Sequence, residues 1–267
     1  MVLNYSHLRS DGDDNYFRHY YMIRKVKYRI KKFSDVIALL SAELFLLFIS
    51  FFIALALLVI VIRQVFYNKE YTMDNKVFNY LSPCISDTHT AAMEFISFFG
   101  SHLFLIPAWL LVFSYYFFGR KHKWFSIKII SIAICNLGLM LGLKIFFNRP
   151  RPMIPLLKDV PGLSFPSGHA FMSFTFFCVI IYIVYRDVSN KWLKWTSIIF
   201  LVIVILLIGL SRVYLRVHFA SDVIAGFCFG VLSLLILAWM LRQLEKFNAK
   251  KIPADLNITK ADDVTSI

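Results

Sequence analysis

Acidic residues are scarce in this chain. Asp and Glu number 16 among 267 residues, against 29 Lys and Arg. Charged residues of both signs make up only 17%, where an average soluble domain carries about a quarter. Glycine is sparse at 10, proline at 8 and cysteine at 4. This composition excludes a collagen-like repeat and a small disulfide scaffold. Cys135, Cys178 and Cys228 lie inside apolar runs and only Cys84 lies in a loop, so no disulfide framework is implied. No internal repeat and no second domain is visible. What is abundant is apolar: 59% hydrophobic residues, with 28 Phe, 13 Tyr and 5 Trp. That excludes a disordered tail and speaks against an ordinary soluble globule. It suits a chain whose solvent is a bilayer. The formal charge of +13 would suggest nucleic acid on a soluble chain. On a membrane chain it raises the question of where the positives sit.

Six stretches carry almost no charge. Val36–Ile62 holds only Glu43, and Phe95–Phe118 holds none. Ile129–Phe147 has Lys144 near its end, and Phe165–Tyr185 has none. Trp195–Ser211 has none, and Phe219–Leu241 has only Asp222. Each is close to the roughly 20 residues that cross about 30 Å of hydrocarbon. A helix satisfies its own backbone groups there, and the alternation of an outer-membrane barrel is absent. The expected fold class is therefore all-α: a polytopic membrane protein of six transmembrane helices, over residues 34–242. Trp195–Ser211 is the shortest stretch and could also be read as a buried core helix.

Six spans place the N-terminal segment, the 119–124 loop, the 186–194 loop and the tail on one side. Those segments carry nineteen of the 29 positives. The excess assigns both termini to the cytoplasm. The opposite side holds nine, and five of those fall within 144–151 and 212–216. Basic residues concentrated against the general bias need a local reason.

The first apolar run begins only at Val36 and is too long for a cleavable signal core. Residues 1–33 form a basic cytoplasmic segment, with Met22, Val26, Ile30 and Phe33 at near-helical spacing. They read equally as a helix lying on anionic lipid or as a solvated arm. Residues 243–267 form a polar cytoplasmic tail, expected to be disordered from Lys251.

Three clusters share the charge-poor side. The first is Lys144 to Pro152, with Arg149 and Arg151, where prolines end a helix. Taken alone it could be a snorkelling lysine and a surface loop. The second is Phe165-Pro166-Ser167-Gly168-His169 at the start of the fourth span. Ser167 is a candidate cap, and the first N–H groups of such a helix point at any anion placed there. Gly168 allows close approach of the backbone, and His169 stands in the first turn. The third runs from Ser211-Arg212 through Arg216 and His218 to Asp222. His218 and Asp222 are four apart, so on a helix they share a face. An ionisable residue within a span is a functional hypothesis by default. A carboxylate on one imidazole nitrogen leaves the other free as nucleophile or base. The plainer reading is a His–Asp pair that holds the helix end.

His169, His218 and Asp222 are conceivable metal ligands. Lys144, Arg151 and Arg212 converging on the same pocket would repel a divalent cation. They match instead the equatorial oxygens of a phosphoryl group. This favours phosphoryl transfer with no metal and no cofactor.

At this point the motifs Lys144-x6-Arg151-Pro152, Pro166-Ser167-Gly168-His169 and Ser211-Arg212-x5-His218-x3-Asp222 resemble those of the type 2 phosphatidic acid phosphatase family (PAP2). All three are complete, in order and correctly spaced over about 80 residues. The resemblance implies the helical core that this family shares with the haloperoxidases, and the six spans suit it. It further implies that His218 attacks phosphorus to give a phosphohistidine, that Asp222 orients it, and that His169 protonates the leaving oxygen and then activates water. Lys144, Arg151, Ser167, Gly168 and Arg212 would hold the phosphoryl oxygens. Arg149 and Arg216 lie outside the motifs and are expected to be supporting, head-group or solvated positives.

The substrate implied is a lipid phosphate monoester or lipid pyrophosphate: undecaprenyl pyrophosphate, phosphatidylglycerophosphate or phosphatidic acid. Lipid A phosphatases and lipid-linked phosphotransferases carry the same motifs. A lipid-phosphate-binding or transport protein needs only the positives, so both histidines and Asp222 argue against it. Six spans fit a vanadate haloperoxidase poorly. The expected partners are the lipid substrate and the bilayer, with no nucleic acid. The expected location is the plasma (inner) membrane, with the site on its periplasmic or extracellular side. Gly138 and Gly142 in span three, with Gly226 and Gly230 in span six, are small-residue pairs that predict close packing of those two spans.

Overall fold

The computed structural model describes residues 44–153, 155–156 and 162–262, with side chains as far as Glu245. The chain forms two units, residues 1–50 and 51–267. Of the first, residues 44–50 are described and are helical. The expected basic segment 1–33 and Lys158 lie outside the described residues.

Six helices are long and apolar enough to cross a membrane. They are α1 (Leu44–Tyr67), a broken span Asp87–Gly119, α5 (Lys123–Phe147), α6 (Gly168–Asp187), α7 (Lys191–Tyr214) and α8, whose spanning part is Ala220–Glu245. The short α2 (Thr72–Leu81) precedes the broken span, which comprises α3 (Asp87–Phe98) and α4 (His102–Ser114). The expected all-α, six-span architecture is present, and no strand occurs among the described residues. Trp195–Ser211 lies within a full-length helix.

Local chemistry sets the helix ends. The side chains of Ser86, Ser101, Ser167 and Asn190 accept a hydrogen bond from the backbone N–H three residues on, capping α3, α4, α6 and α7. Asn148 ends α5 in the left-handed conformation (φ 44°), which an Asn tolerates better than most residues. The helix therefore stops before Pro150, not at it. α8 is helical to Asp262, beyond the expected start of a disordered tail. Extending an existing helix avoids the cost of nucleating one.

Two of the four apolar clusters among the described residues position the helices of the site. In one, Leu105 and Trp109 of α4 meet Ile129 of α5, Phe176 and Phe177 of α6, and Ile205 and Ile208 of α7. In the other, Ala54, Leu58 and Val61 of α1 pack with Phe165 and with Ala225 and Cys228 of α8. Large apolar side chains such as Leu111, Ile145, Phe146 and Phe200 face outward, as expected where lipid is the solvent. α6 is the central helix and packs on α7 and α8.

The expected glycine-mediated packing of spans three and six does not occur. A Cβ at Gly138 or Gly142 would meet nothing within 4 Å. Gly226 and Gly230 do permit a close approach, but toward α6. A Cβ at Gly226 would stand 2.9 Å from the Ser167 carbonyl oxygen, and one at Gly230 would stand 2.6 Å from the Phe174 ring. Spacing identifies a small-residue stripe but does not say which neighbour it faces.

Candidate active site

The end of α5, the start of α6, the end of α7 and the start of α8 meet at one end of the helix bundle. Together they supply the three sequence clusters, the end of α7 and the start of α8 sharing the third. The left-handed Asn148 turns the chain so that Arg149 enters the protein while Arg151 follows along the surface. Lys144, one turn before the end of α5, donates from Nζ to the Leu163 carbonyl. Arg151 donates from Nε to the Gly162 carbonyl (3.1 Å) and from NH1 to the Val217 carbonyl (3.0 Å).

Ser167 caps α6, as expected, and its own N–H donates to the Asp222 carbonyl (3.0 Å). The start of α6 is thereby tied to the start of α8. Gly168 and His169 are the first two helical residues, and their N–H groups belong to the set that a helix leaves without internal partners. The Arg212 carbonyl accepts from the N–H groups of Val217 and His218, both at 3.2 Å, and so fixes the turn that carries His218. The Arg212 guanidinium is buried and donates from NH1 to the Ser97 hydroxyl of α3.

His218 and Asp222 do not share a helix face, because α8 begins only at Ala220. Asp222 is instead the third helical residue, and its Oδ2 accepts from the Phe219 N–H (2.9 Å), reaching back over the helix start. That places Oδ2 3.6 Å from His218 Nδ1. Ser164 bridges the pair. Its hydroxyl donates to Asp222 Oδ2 and lies 3.4 Å from His218 Nδ1. His218 is buried, and burial is the main cause that pulls its imidazole down to about 4, against the raising influence of the Asp222 carboxylate. The ring is therefore neutral at neutral pH. Its Nδ1 side is engaged, and Nε2 is the nitrogen left for chemistry.

A buried carboxylate needs compensation. Arg149 provides it and is neither a head-group contact nor solvated. Its NH1 donates to Asp222 Oδ1 and to the Ser221 hydroxyl (2.8 Å), and its NH2 donates to Asp74 Oδ2 (3.0 Å). Asp74, from α2, also accepts from the Ser221 N–H (2.9 Å) and hydroxyl (2.7 Å). The Phe219 ring lies 4.1 Å from the Arg149 guanidinium carbon. Arg216 donates to the Ser82 hydroxyl at 2.7 Å.

A cavity of about 450 Å³ opens at this end, and its lining brings together Lys144, Arg151, Gly168, His169 and His218. Ser167, Arg212 and Asp222 are buried and are not part of the lining. The cavity continues as an apolar cleft between α4 (Leu105, Ile106, Trp109, Leu110) and α5 (Ile130, Ala133, Ile134, Leu137, Met140). A basic end with imidazoles thus leads directly into an apolar cleft.

Sequence reasoning missed Asp74, Ser97, Ser164 and Ser221. Asp74 is 75 residues from Arg149 in the chain, and no spacing rule links them. Ser164 lies two residues before Pro166 and Ser221 stands inside the third motif, and that proximity was the one available signal.

The chain has known relatives. A family model described as the PAP2 superfamily matches residues 125–246. Phosphatidylglycerophosphatase B of Bacillus subtilis (strain 168) is 32% identical over 160 residues, spanning 59% of this chain and 78% of that protein. The crystal structure of a transmembrane PAP2 type phosphatidylglycerolphosphate phosphatase from Bacillus subtilis aligns with a TM-score of 0.65 at 25% identity. That alignment covers 74% of this chain and 96% of the other.

Proposed function

The chain belongs to the PAP2 superfamily, and from that premise we propose that it is a metal-independent lipid phosphatase working through a phosphohistidine. The observation that carries the reading is the single cavity that joins Lys144, Arg151, Gly168, His169 and His218 to an apolar cleft. A lipid phosphate has the same order of parts: an anionic phosphoryl group and then a tail that remains in hydrocarbon.

In this reading Lys144 and Arg151 hold the non-bridging oxygens, with the free N–H groups at the start of α6 as neutral donors. Arg212 contributes its charge from behind the cavity wall, and the Ser167 hydroxyl keeps the helix start in place. Nε2 of His218 attacks phosphorus and the bond to the lipid oxygen breaks. His169 delivers a proton to that oxygen. Water then attacks the phosphohistidine, His169 takes its proton, and the P–N bond breaks to release phosphate. Asp222 stabilises the positive charge that develops on His218. A divalent cation in this cavity would face Lys144 and Arg151, which already supply the positive charge that phosphoryl transfer needs.

The distribution of Lys and Arg supports both termini on the cytoplasmic side and the cavity on the periplasmic or extracellular side of the plasma (inner) membrane. Purified protein should release phosphate from lipid phosphates or lipid pyrophosphates in the presence of EDTA. His218→Ala and His169→Ala should each reduce that release to background while the helical content is retained. Abolition by EDTA, or wild-type release from His218→Ala, would overturn the reading.

A further inference from the structure

The cavity has five polar side chains in its lining: His102, Lys144, Arg151, His169 and His218. The mechanism uses four of them and leaves His102. His102 is the first residue of α4, just past its Ser101 cap, and its ring is exposed to the cavity. Among the described residues no hydrogen bond reaches that ring. An imidazole that opens an otherwise apolar wall is available to a ligand.

Its position says which part of a ligand it would meet. Residues 102, 105, 106 and 109 follow one another on one face of α4, and all four line the cavity. Along that face the wall changes from imidazole to Leu, Ile and Trp. His102 therefore stands where the basic end gives way to the tail cleft. Gly100, two residues earlier in the break between α3 and α4, lies against His169. A Cβ there would be 3.3 Å from His169 Cδ2. If His169 serves the leaving oxygen, the α4 start faces the leaving-group side of the scissile bond.

We propose that His102 is a specificity-determining residue that binds a second, non-transferred phosphate on the leaving-group side, which presupposes the phosphatase function above. Lipid pyrophosphates and phosphatidylglycerophosphate carry such a phosphate. Phosphatidic acid does not. An imidazole N–H to an anionic oxygen is a charge-assisted hydrogen bond, and losing one such contact lowers kcat/KM by about tenfold.

The test compares wild type, His102→Ala and His102→Gln on three lipids: a polyprenyl pyrophosphate, phosphatidylglycerophosphate and phosphatidic acid. His102→Ala should lower kcat/KM about tenfold on one or both two-phosphate lipids, through KM, and change phosphatidic acid less than about twofold. Which of the two lipids responds identifies the source of the second phosphate. His102→Gln retains an N–H donor and should recover part of the loss. An equal loss on all three lipids would show a general structural role and overturn the proposal, as would no loss on any. Failure of wild type to release phosphate from any of the three would overturn the phosphatase reading itself.

Discussion

The proposed chemistry turns on one buried imidazole and the charges around it. Burial disfavours the imidazolium, so the group binds its proton only when the pH falls to about 4. Above that pH the Nε2 lone pair is free, and below it the proposed nucleophile is lost. The NMR titration of His218, assigned by comparison with His218→Gln, should therefore have a midpoint near 4. A midpoint near 6.5 would place the ring in water. Arg149 presents the converse case. It stands between two buried carboxylates, Asp74 and Asp222. Removing one partner from a buried ion network typically costs about 3–5 kcal/mol. Arg149→Ala should lower the thermal unfolding midpoint in detergent clearly and impair turnover, because Asp222 loses the partner of its Oδ1. The residues proposed as catalytic stand in motifs that the sequence displays, since their spacing within each motif is local. Arg149 was not legible in that way. An arginine between Asn148 and Pro150 looks like surface, and only the fold brings α2 across to meet it.

Elements position these residues through close backbone approaches. The Ser167 N–H donates to the Asp222 carbonyl, so the starts of α6 and α8 must nearly touch. Gly226, one turn beyond Asp222, makes that possible. A Cβ there would press to 2.9 Å from the Ser167 carbonyl oxygen, a backbone atom that cannot swing aside. Overpacking of this kind costs about 1–3 kcal/mol. It would also separate the helix start that carries Gly168 and His169 from the turn that carries His218. Gly226→Ala should lower both the unfolding midpoint in detergent and kcat, whereas Gly142→Ala should leave both unchanged, since its Cβ meets nothing. Equal tolerance of the two substitutions would refute this packing. The sequence showed that both helices carry glycines four apart, but helical periodicity alone cannot identify the partner helix. The break at Gly100 was equally hidden, because Phe95–Phe118 reads as one uninterrupted apolar run and two helices with a Ser101 cap stand in its place.

At the scale of the whole molecule the remaining question is which side of the membrane the cavity faces. The helices fix which residues share an end of the bundle. Positive charge on the connecting loops decides how that end is oriented. Cys84 provides a native reporter. Its thiol is exposed, in the connection between α2 and α3. Its carbonyl accepts from the Tyr214 hydroxyl (3.0 Å), which ties it to the end of α7, two residues from Arg212. Cys84 and the residues proposed as catalytic are therefore on the same side. The other thiols lie within the spans, where a membrane-impermeant maleimide does not reach. Intact cells should incorporate such a reagent at Cys84, and Cys84→Ser should abolish the labelling. Labelling only after permeabilisation would turn the cavity toward the cytoplasm and reverse both termini. The wall of positive charge around Lys144 and Arg151 would then belong to the general cytoplasmic bias. Labelling from outside leaves it as basic charge held against that bias, as a cavity for an anionic group requires.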